Sequence, residues 1–367
     1  MITRENESQH LPLRSTSETA YRVWSCNEWD PLEEVIIGTA RGARLPTPDE
    51  STQFILYPDR PLDSLPDRTF SQRVIEETEE DLSRFAEVLA SHGVTVHRPD
   101  AYDTTVRYST PDWTAHGFHT YCPRDVLTVV GDRVIESPCA MRSRFFESFA
   151  YRAILVDFLR SGARWFSAPK PMLRDSAYES LSPGKRTPRN DEPVFDAANV
   201  LRFGYDLLYQ VSSSGNTLGA QWLQMMLGDK YTVHCVEDIY YGCHIDSTFV
   251  ALRPGLVLCN PARVSSENLP NLFNGWEAIY SPPMTNCHPG NGWFIGSDWI
   301  GMNVFSISPS VVVVDQDQRP LISLLDRHGL NVIPLPLRHA RELGGGFHCV
   351  TLDVRRRGVL ERYHRAP

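Results

Sequence analysis

One phrase occurs near both ends of this chain, and it constrains the fold more than any other feature. Leu89-Ala-Ser-His92-Gly93-Val94-Thr-Val96 returns as Leu325-Asp-Arg-His328-Gly329-Leu330-Asn-Val332. Each copy ends a helical pattern at a glycine and passes into an alternating run, which reads as a helix end followed by a strand. The first of these helices is expected over Phe70 to His92. Val74, Leu82, Phe85 and Leu89 share one face there, and Glu76, Glu77, Glu79 and Glu80 take the other. Strand pairs recur as well: Asp125 to Ile135 turning at Gly131-Asp132, Phe195 to Val211 turning near Gly204, His244 to Leu258 turning at Pro254-Gly255, and Asn303 to Val314 around Ser308-Pro309. Helices are expected at Arg144 to Leu159, Leu218 to Leu227 and Leu321 to Arg327, with strands at Tyr231 to Val236 and Val332 to Leu335. Strand, strand, helix, strand, repeated every roughly 50 to 70 residues, belongs to a propeller or repeat array rather than to one parallel sheet. The expectation is one α/β domain built of similar units over residues 22–367.

With 41% hydrophobic residues in 367, the chain can bury a core. Its 36 Lys and Arg against 45 Asp and Glu leave a net charge of -9, which argues against nucleic acid or an anionic membrane as the main partner. A small molecule is the better default. The opening, Met1 to Tyr21, is polar and is expected to be a disordered extension; it lacks the apolar core of a signal peptide, so the chain reads as cytoplasmic. Eight cysteines lack the C-x-x-C spacing of structural zinc and read as reduced thiols. Three polar, Pro- or Gly-rich stretches interrupt the pattern: Arg44 to Arg68, Asp175 to Glu192 and Pro282 to Asp298. The third mixes hinge residues with aromatic ones and is the lid candidate; the second reads as a surface excursion.

The sharpest local signal is Gly344-Gly345-Gly346-Phe347-His348-Cys349. Three glycines sacrifice packing where the main chain must adopt unusual angles or allow close approach, and a thiol beside them is open to substrate. From this stretch alone, packing and catalysis are equally good accounts of Cys349. His244 and Asp246, two apart at the start of an expected strand, would share one face and could pair a proton carrier with an acceptor for a cation; a surface pair is the plainer account. Asp125 and Asn199 open expected strands in the same way and could equally be turn residues. Adjacent Cys and His in a strand point to opposite faces, so a metal site is not expected, and no P-loop or dinucleotide fingerprint occurs.

The order of these signals resembles the amidinotransferase family. The resemblance runs from about Val23 to Tyr363 through Cys26-Asn-Glu-Trp-Asp-Pro-Leu-Glu-Glu-Val-Ile-Ile-Gly38, Cys122-Pro-Arg-Asp125, Phe195-Asp-Ala-Ala-Asn199, His244-Ile-Asp-Ser-Thr248, Asn260-Pro-Ala-Arg263, Met302-Asn303-Val304 and Leu343-Gly-Gly-Gly-Phe-His-Cys349. Within the family, Phe195 to Gly204, Thr110-Pro-Asp-Trp113 and Arg253 to Leu258 resemble the inosamine-phosphate branch of streptomycin biosynthesis. The resemblance implies a pentein fold, a five-bladed α/β propeller of pseudo-fivefold ββαβ units with one central site. It implies Cys349 as nucleophile, His244 as general acid and base, and Asn199 orienting that histidine where the glycine-using enzymes have an aspartate. Asp125 and Asp246 would hold the guanidinium, Arg263 the substrate carboxylate, and Met302 and Asn303 would also touch substrate. The activity implied is transfer of the amidino group of L-arginine to an amine, with release of ornithine and no cofactor. The acceptor implied is an aminocyclitol phosphate such as scyllo-inosamine 4-phosphate, in antibiotic biosynthesis; the oligomeric state is left open, with a homodimer preferred by family analogy. Another acceptor (glycine, lysine or a polyketide-derived amine), a hydrolase resembling arginine deiminase, and a silent binding protein of the same fold are the rival readings.

Overall fold

The computed structural model describes residues 22–100, 102–179, 184–285 and 293–363. The expected N-terminal extension and the middle of the lid candidate lie outside them. Among the described residues are five three-stranded sheets of one pattern, in which a first strand pairs antiparallel with a second and the second pairs parallel with a third. In chain order they are Leu127–Val130, Arg133–Glu136 and Arg164–Ser167; Val200–Phe203, Asp206–Gln210 and Thr232–Val236; Phe249–Arg253, Leu256–Cys259 and Glu277–Tyr280; and Phe305–Ser308, Val311–Asp315 and Asn331–Leu335. The fifth joins the two ends of the chain: Thr351–Arg356 pairs with Leu32–Ile37, and Leu32–Ile37 with Thr95–His97.

A parallel third strand needs a crossover, and helices supply it in four blades: Gln72–Ser91, Arg152–Arg160, Thr217–Leu227 and Arg319–Arg327. In the blade of Phe249–Arg253 the crossover contains only the short turn Asn271–Phe273. The expected helix from Arg144 begins at Arg152 instead, after two tight turns at Arg142–Arg144 and Glu147–Tyr151 that carry buried polar side chains toward the centre. The Arg44 to Arg68 stretch also holds a helix, Glu50–Leu56, capped by Asp49.

The repeated phrase is the same joint in two blades. Ser71 caps the long helix at the Val74 amide, and Val74, Leu82, Phe85 and Leu89 are buried, as their spacing requires. At its end His92 Nδ1 lies 2.9 Å from the Val88 carbonyl and Gly93 takes φ +80°. The second copy matches: His328 Nδ1 is 2.8 Å from the Leu324 carbonyl and Gly329 has φ +74°. A side chain at either glycine would be strained, so the helix stops there and the third strand begins.

Shared cores close the ring. Leu352 and Val354 of the fifth blade pack with Leu127 and Val129 of the first, Val130 and Ile135 of the first with Val200 and Leu207 of the second, and Leu201 and Phe203 of the second with Phe249 and Val257 of the third. Val250 and Leu258 of the third meet Val304 and Val312, and Phe305 and Val313 of the fourth meet Val35 and Ile37 of the fifth. Each interface is apolar and common to two blades, so burial stabilises the closed ring more than any blade alone. Among the described residues no helix is long and apolar enough to cross a membrane.

Candidate active site

Ahead of every first strand the chain makes one tight turn. The turns are Pro123–Val126, Ala197–Asn199, Ile245–Ser247, Ile300–Met302 and residues 347–350, and they converge at the ring's centre. Asp125 and the His244 to Asp246 run therefore sit in turns, not in the strands their alternation suggests. A cavity of about 780 Å³ opens over these turns, lined by Asp125, Asp196, His244, Asp246, Arg263 and Cys349 among others.

Cys349 is only 2% exposed. Its Sγ donates to Asp246 Oδ2 at 3.1 Å. The thiol is held well above its ordinary pKa by its hydrogen bond with Cys122, by burial and by the Asp246 charge. The glycines before it are needed for space: a Cβ on Gly345 would stand 2.5 Å from Cys122 Sγ, one on Gly346 would stand 2.6 Å from Asn303 Cβ, and Gly344 has φ +81°. Asn303 Oδ1 accepts from the His348 amide at 2.9 Å and the Cys349 amide at 3.1 Å, which fixes the nucleophile's turn.

His244 stands between two carboxylates, its Nε2 3.0 Å from Asp196 Oδ2 and its Nδ1 3.6 Å from Asp125 Oδ1. Burial disfavours the imidazolium, but Asp125 and Asp196 outweigh it and raise His244 to about 9. Burial alone would also push Asp246 up, yet His348 Nδ1 at 2.9 Å and the charge of His244 hold it below the ordinary carboxylate range. Asp125 is pushed up by burial, partly countered by His244 and by Arg144, which donates to its Oδ2 at 2.7 Å. Asp125 Oδ1 is buried and accepts no hydrogen bond among the described residues, an acceptor that awaits a donor.

Arg263 is a cation held by neutral groups. It donates to Ser247 O at 2.8 Å, Thr248 Oγ1 at 2.9 Å and Ser297 Oγ at 2.9 Å, and its guanidinium lies 3.4 Å from the centre of the Tyr240 ring. Among the described residues no carboxylate pairs with it, so its charge is available to a ligand. Ser297 belongs to the far end of the lid candidate, and Phe294 to Asp298 line the same cavity.

Three sequence expectations need correction. Asn199 does not orient His244; its amide is engaged by Ser212 Oγ at 3.1 Å and Ser214 Oγ at 3.1 Å, and Asp196, three residues earlier, meets the ring. Met302 is fully buried in an apolar cluster with Leu258 and Val312, outside the cavity lining. Asn303, 2% exposed, stands behind the nucleophile rather than in the cavity. Asp196 lies in the Phe195 to Asn199 run, where the resemblance pointed to Asn199. The available signal was chemical: an imidazolium needs a carboxylate, and that run contains one.

Comparison with known proteins gives the family. No family model matches the chain. An inosamine-phosphate amidinotransferase of Streptomyces glaucescens is 52% identical over 339 residues, 92% of this chain and 97% of the relative. The chain belongs to the amidinotransferase family. It is therefore a transferase of amidino groups. A second member of the family, the L-arginine:L-lysine amidinotransferase of Pseudomonas savastanoi pv. phaseolicola, is 38% identical over 93% of this chain and 96% of its own length. The solved inosamine-phosphate amidinotransferase of Streptomyces griseus superposes with a TM-score of 0.92 at 52% identity, covering 94% of this chain and all of that one. The family's pentein propeller is the fold described above.

Proposed function

We propose that the chain transfers the amidino group of L-arginine, through an amidino-Cys349 intermediate, to an aminocyclitol phosphate of the inosamine-phosphate type. The observation that carries the reading is a thiol beside one buried carboxylate, Asp246, with an imidazole held charged between two others, in one cavity. The relatives at 52% identity that act on inosamine phosphate support the acceptor.

The guanidinium of arginine enters as a cation between Asp125 Oδ1 and Asp246, which fix its plane and orient its carbon at Cys349 Sγ. As the cation docks, the thiol proton passes by way of Asp246 Oδ2, to which it is already hydrogen-bonded, to solvent in the cavity, so the buried site exchanges one positive charge for another. The thiolate attacks the guanidinium carbon. His244 gives its proton to the nitrogen of the departing amine, the C–N bond breaks, and ornithine leaves with the amidino group bound to sulfur. Neutral His244 then takes a proton from the acceptor amine as that nitrogen attacks the amidino carbon and the C–S bond breaks. Asp196 keeps the ring in register and stabilises its cation in both halves.

Two measurements bear on these roles. His244 acts first as an acid, so activity needs the imidazolium, which is present below its raised pKa of about 9 and lost as the pH rises through it. The rate of ornithine release per unit of arginine is expected to fall above about pH 9; a fall centred near the ordinary histidine value would contradict the assignment. Arg263→Lys keeps the charge and loses the planar fork that suits a carboxylate. Its use of arginine is expected to drop roughly 10- to 100-fold, while agmatine, which lacks the carboxylate, reacts about equally poorly with both proteins. An equal fold-loss for the two donors would remove Arg263 from the carboxylate.

A further inference from the structure

A second cavity of about 770 Å³ adjoins the first, and Pro58, Arg186, Tyr240, Tyr241 and Gly242 line both. Its wall comes partly from the Asp175 to Glu192 stretch, which the sequence reading treats as a surface excursion. That stretch places Arg186 at the junction. The guanidinium of Arg186 donates through Nη2 to the Tyr241 carbonyl at 3.2 Å, and its Nε is buried with no partner among the described residues. No carboxylate pairs with it among those residues. The second cavity has acidic side chains, but they are engaged elsewhere: Glu50 and Asp175 with Arg142 at 3.1 and 2.5 Å, and Glu179 with Arg189 at 3.7 Å. In the first cavity Arg341 is paired with Asp298, and Arg144 with Asp125 and Glu147. Two cations in these walls thus remain without a counter-ion among the described residues, Arg263 and Arg186.

We infer that Arg186 binds the phosphate of the acceptor, holding it at the junction of the two cavities while the acceptor's amine faces His244. The inference rests on the aminocyclitol-phosphate reading above. Donor and acceptor must place a nitrogen at the same point beside His244, one after the other, but their anionic ends differ. Arginine carries a monoanion on a flexible chain. An aminocyclitol phosphate carries a group of higher charge across a rigid ring, which cannot bend to reuse the donor's clamp. A separate cation is needed, and the run from Tyr240 to His244 supplies the spacing. Tyr240 stacks on Arg263, the Tyr241 carbonyl holds Arg186, and His244 reaches the reacting nitrogen. Nη2 carries two hydrogens, one on the edge it shares with Nε and one on the edge it shares with Nη1. An Arg186 that spends one of them on the Tyr241 carbonyl therefore keeps a paired edge for a phosphate, the arrangement that arginine presents best. Lys185, in an exposed ion pair with Asp238 at 2.7 Å, lines the second cavity beside it and can turn inward at little cost.

The test uses the full-length protein with arginine as donor and two acceptors, an aminocyclitol phosphate and the same aminocyclitol without its phosphate. Wild type should prefer the phosphorylated acceptor. Arg186→Gln should lower kcat/KM for the phosphorylated acceptor by roughly 10- to 100-fold and for the other by less than about threefold, so that the preference collapses. Arg186→Lys should restore part of it. The amount of amidino-Cys349 formed from arginine alone, read by mass, reports whether the donor half and the fold survive. An equal loss on both acceptors, with the donor half intact, overturns the role of Arg186. If wild type shows no preference for the phosphate, the acceptor reading itself fails and this inference with it. A loss of the donor half in Arg186→Gln would place Arg186 with the first substrate instead and equally overturn it.

Discussion

Cys349→Ser is expected to lower ornithine release by roughly 10⁴-fold or more, and to abolish the adduct that arginine alone leaves on the wild-type protein. The exchange of sulfur for oxygen changes little in shape, so the turn held by Asn303 should survive it. What changes is the nucleophile: a serine hydroxyl is far harder to ionise than a thiol, so the docking of a cation that draws the proton from sulfur does not draw it from oxygen. Intact-protein and peptide mass spectra after an acid quench would show one amidino group on Cys349 in the wild type and none in the variant. Cys122 is the informative control. Its thiol is hydrogen-bonded to that of Cys349 but is fully buried and raised to about 11, chiefly by burial. An amidino group found on Cys122, or citrulline formed in proportion to arginine consumed, would sink the proposed mechanism.

Asp196→Asn should cost about 10³- to 10⁴-fold in the donor half-reaction, the scale seen when a histidine loses the carboxylate that sets its tautomer. The present structure adds a second readout. Asp125 and Asp196 together raise His244 to about 9, so removing one of them lowers the pKa and moves the alkaline limb of the rate profile to lower pH. A merely structural aspartate would leave that limb in place. Circular dichroism and thermal melting would establish that the variant is folded, since Asp196 Oδ1 also accepts from the Ala140 amide at 3.1 Å. Near-normal turnover with an unmoved profile would return the orienting role to an undetermined residue.

Much of the fold was legible because its signals are local. The strand pairs were marked by their own turns: Gly131, Gly204 and Gly255 all take positive φ at the hairpins where the sequence put them. The long helix was marked by apolar spacing and a stopping glycine. The helix expected from Arg144 starts only at Arg152, because the polar residues ahead of it do not face solvent as those of a surface helix would: Arg142, Arg144 and Glu147 stand in two tight turns. They are buried, Arg144 paired with Glu147 and Asp125, and Arg142 with Glu50 and Asp175. His244 and Asp246 do share a cavity, as their spacing of two suggests, though not as neighbours on a strand face. A tight turn places them there, and it sends His244 toward Asp125 and Asp196 and Asp246 toward Cys349 and His348.

By itself the sequence determined the repeated unit and the stretch that carries the nucleophile, because hydrophobic period, turn glycines and a Gly-Gly-Gly-Phe-His-Cys run act over a few neighbouring residues. Tertiary structure decided which carboxylate serves which partner. Asp196 and Asn199 lie in one tight turn, and nothing local says which faces the channel; that depends on Ser212 and Ser214 claiming the Asn199 amide while His244, 48 residues on, meets Asp196. The contact of Asp246 with Cys349 spans 103 positions and exists only because the last strand of the chain returns to pair with the first. The state of the groups followed from the same closure. Enclosing two acids around His244, and a thiol beside Asp246 and Cys122, raises the pKa of both, an effect of burial and neighbouring charge that no residue carries in its own name.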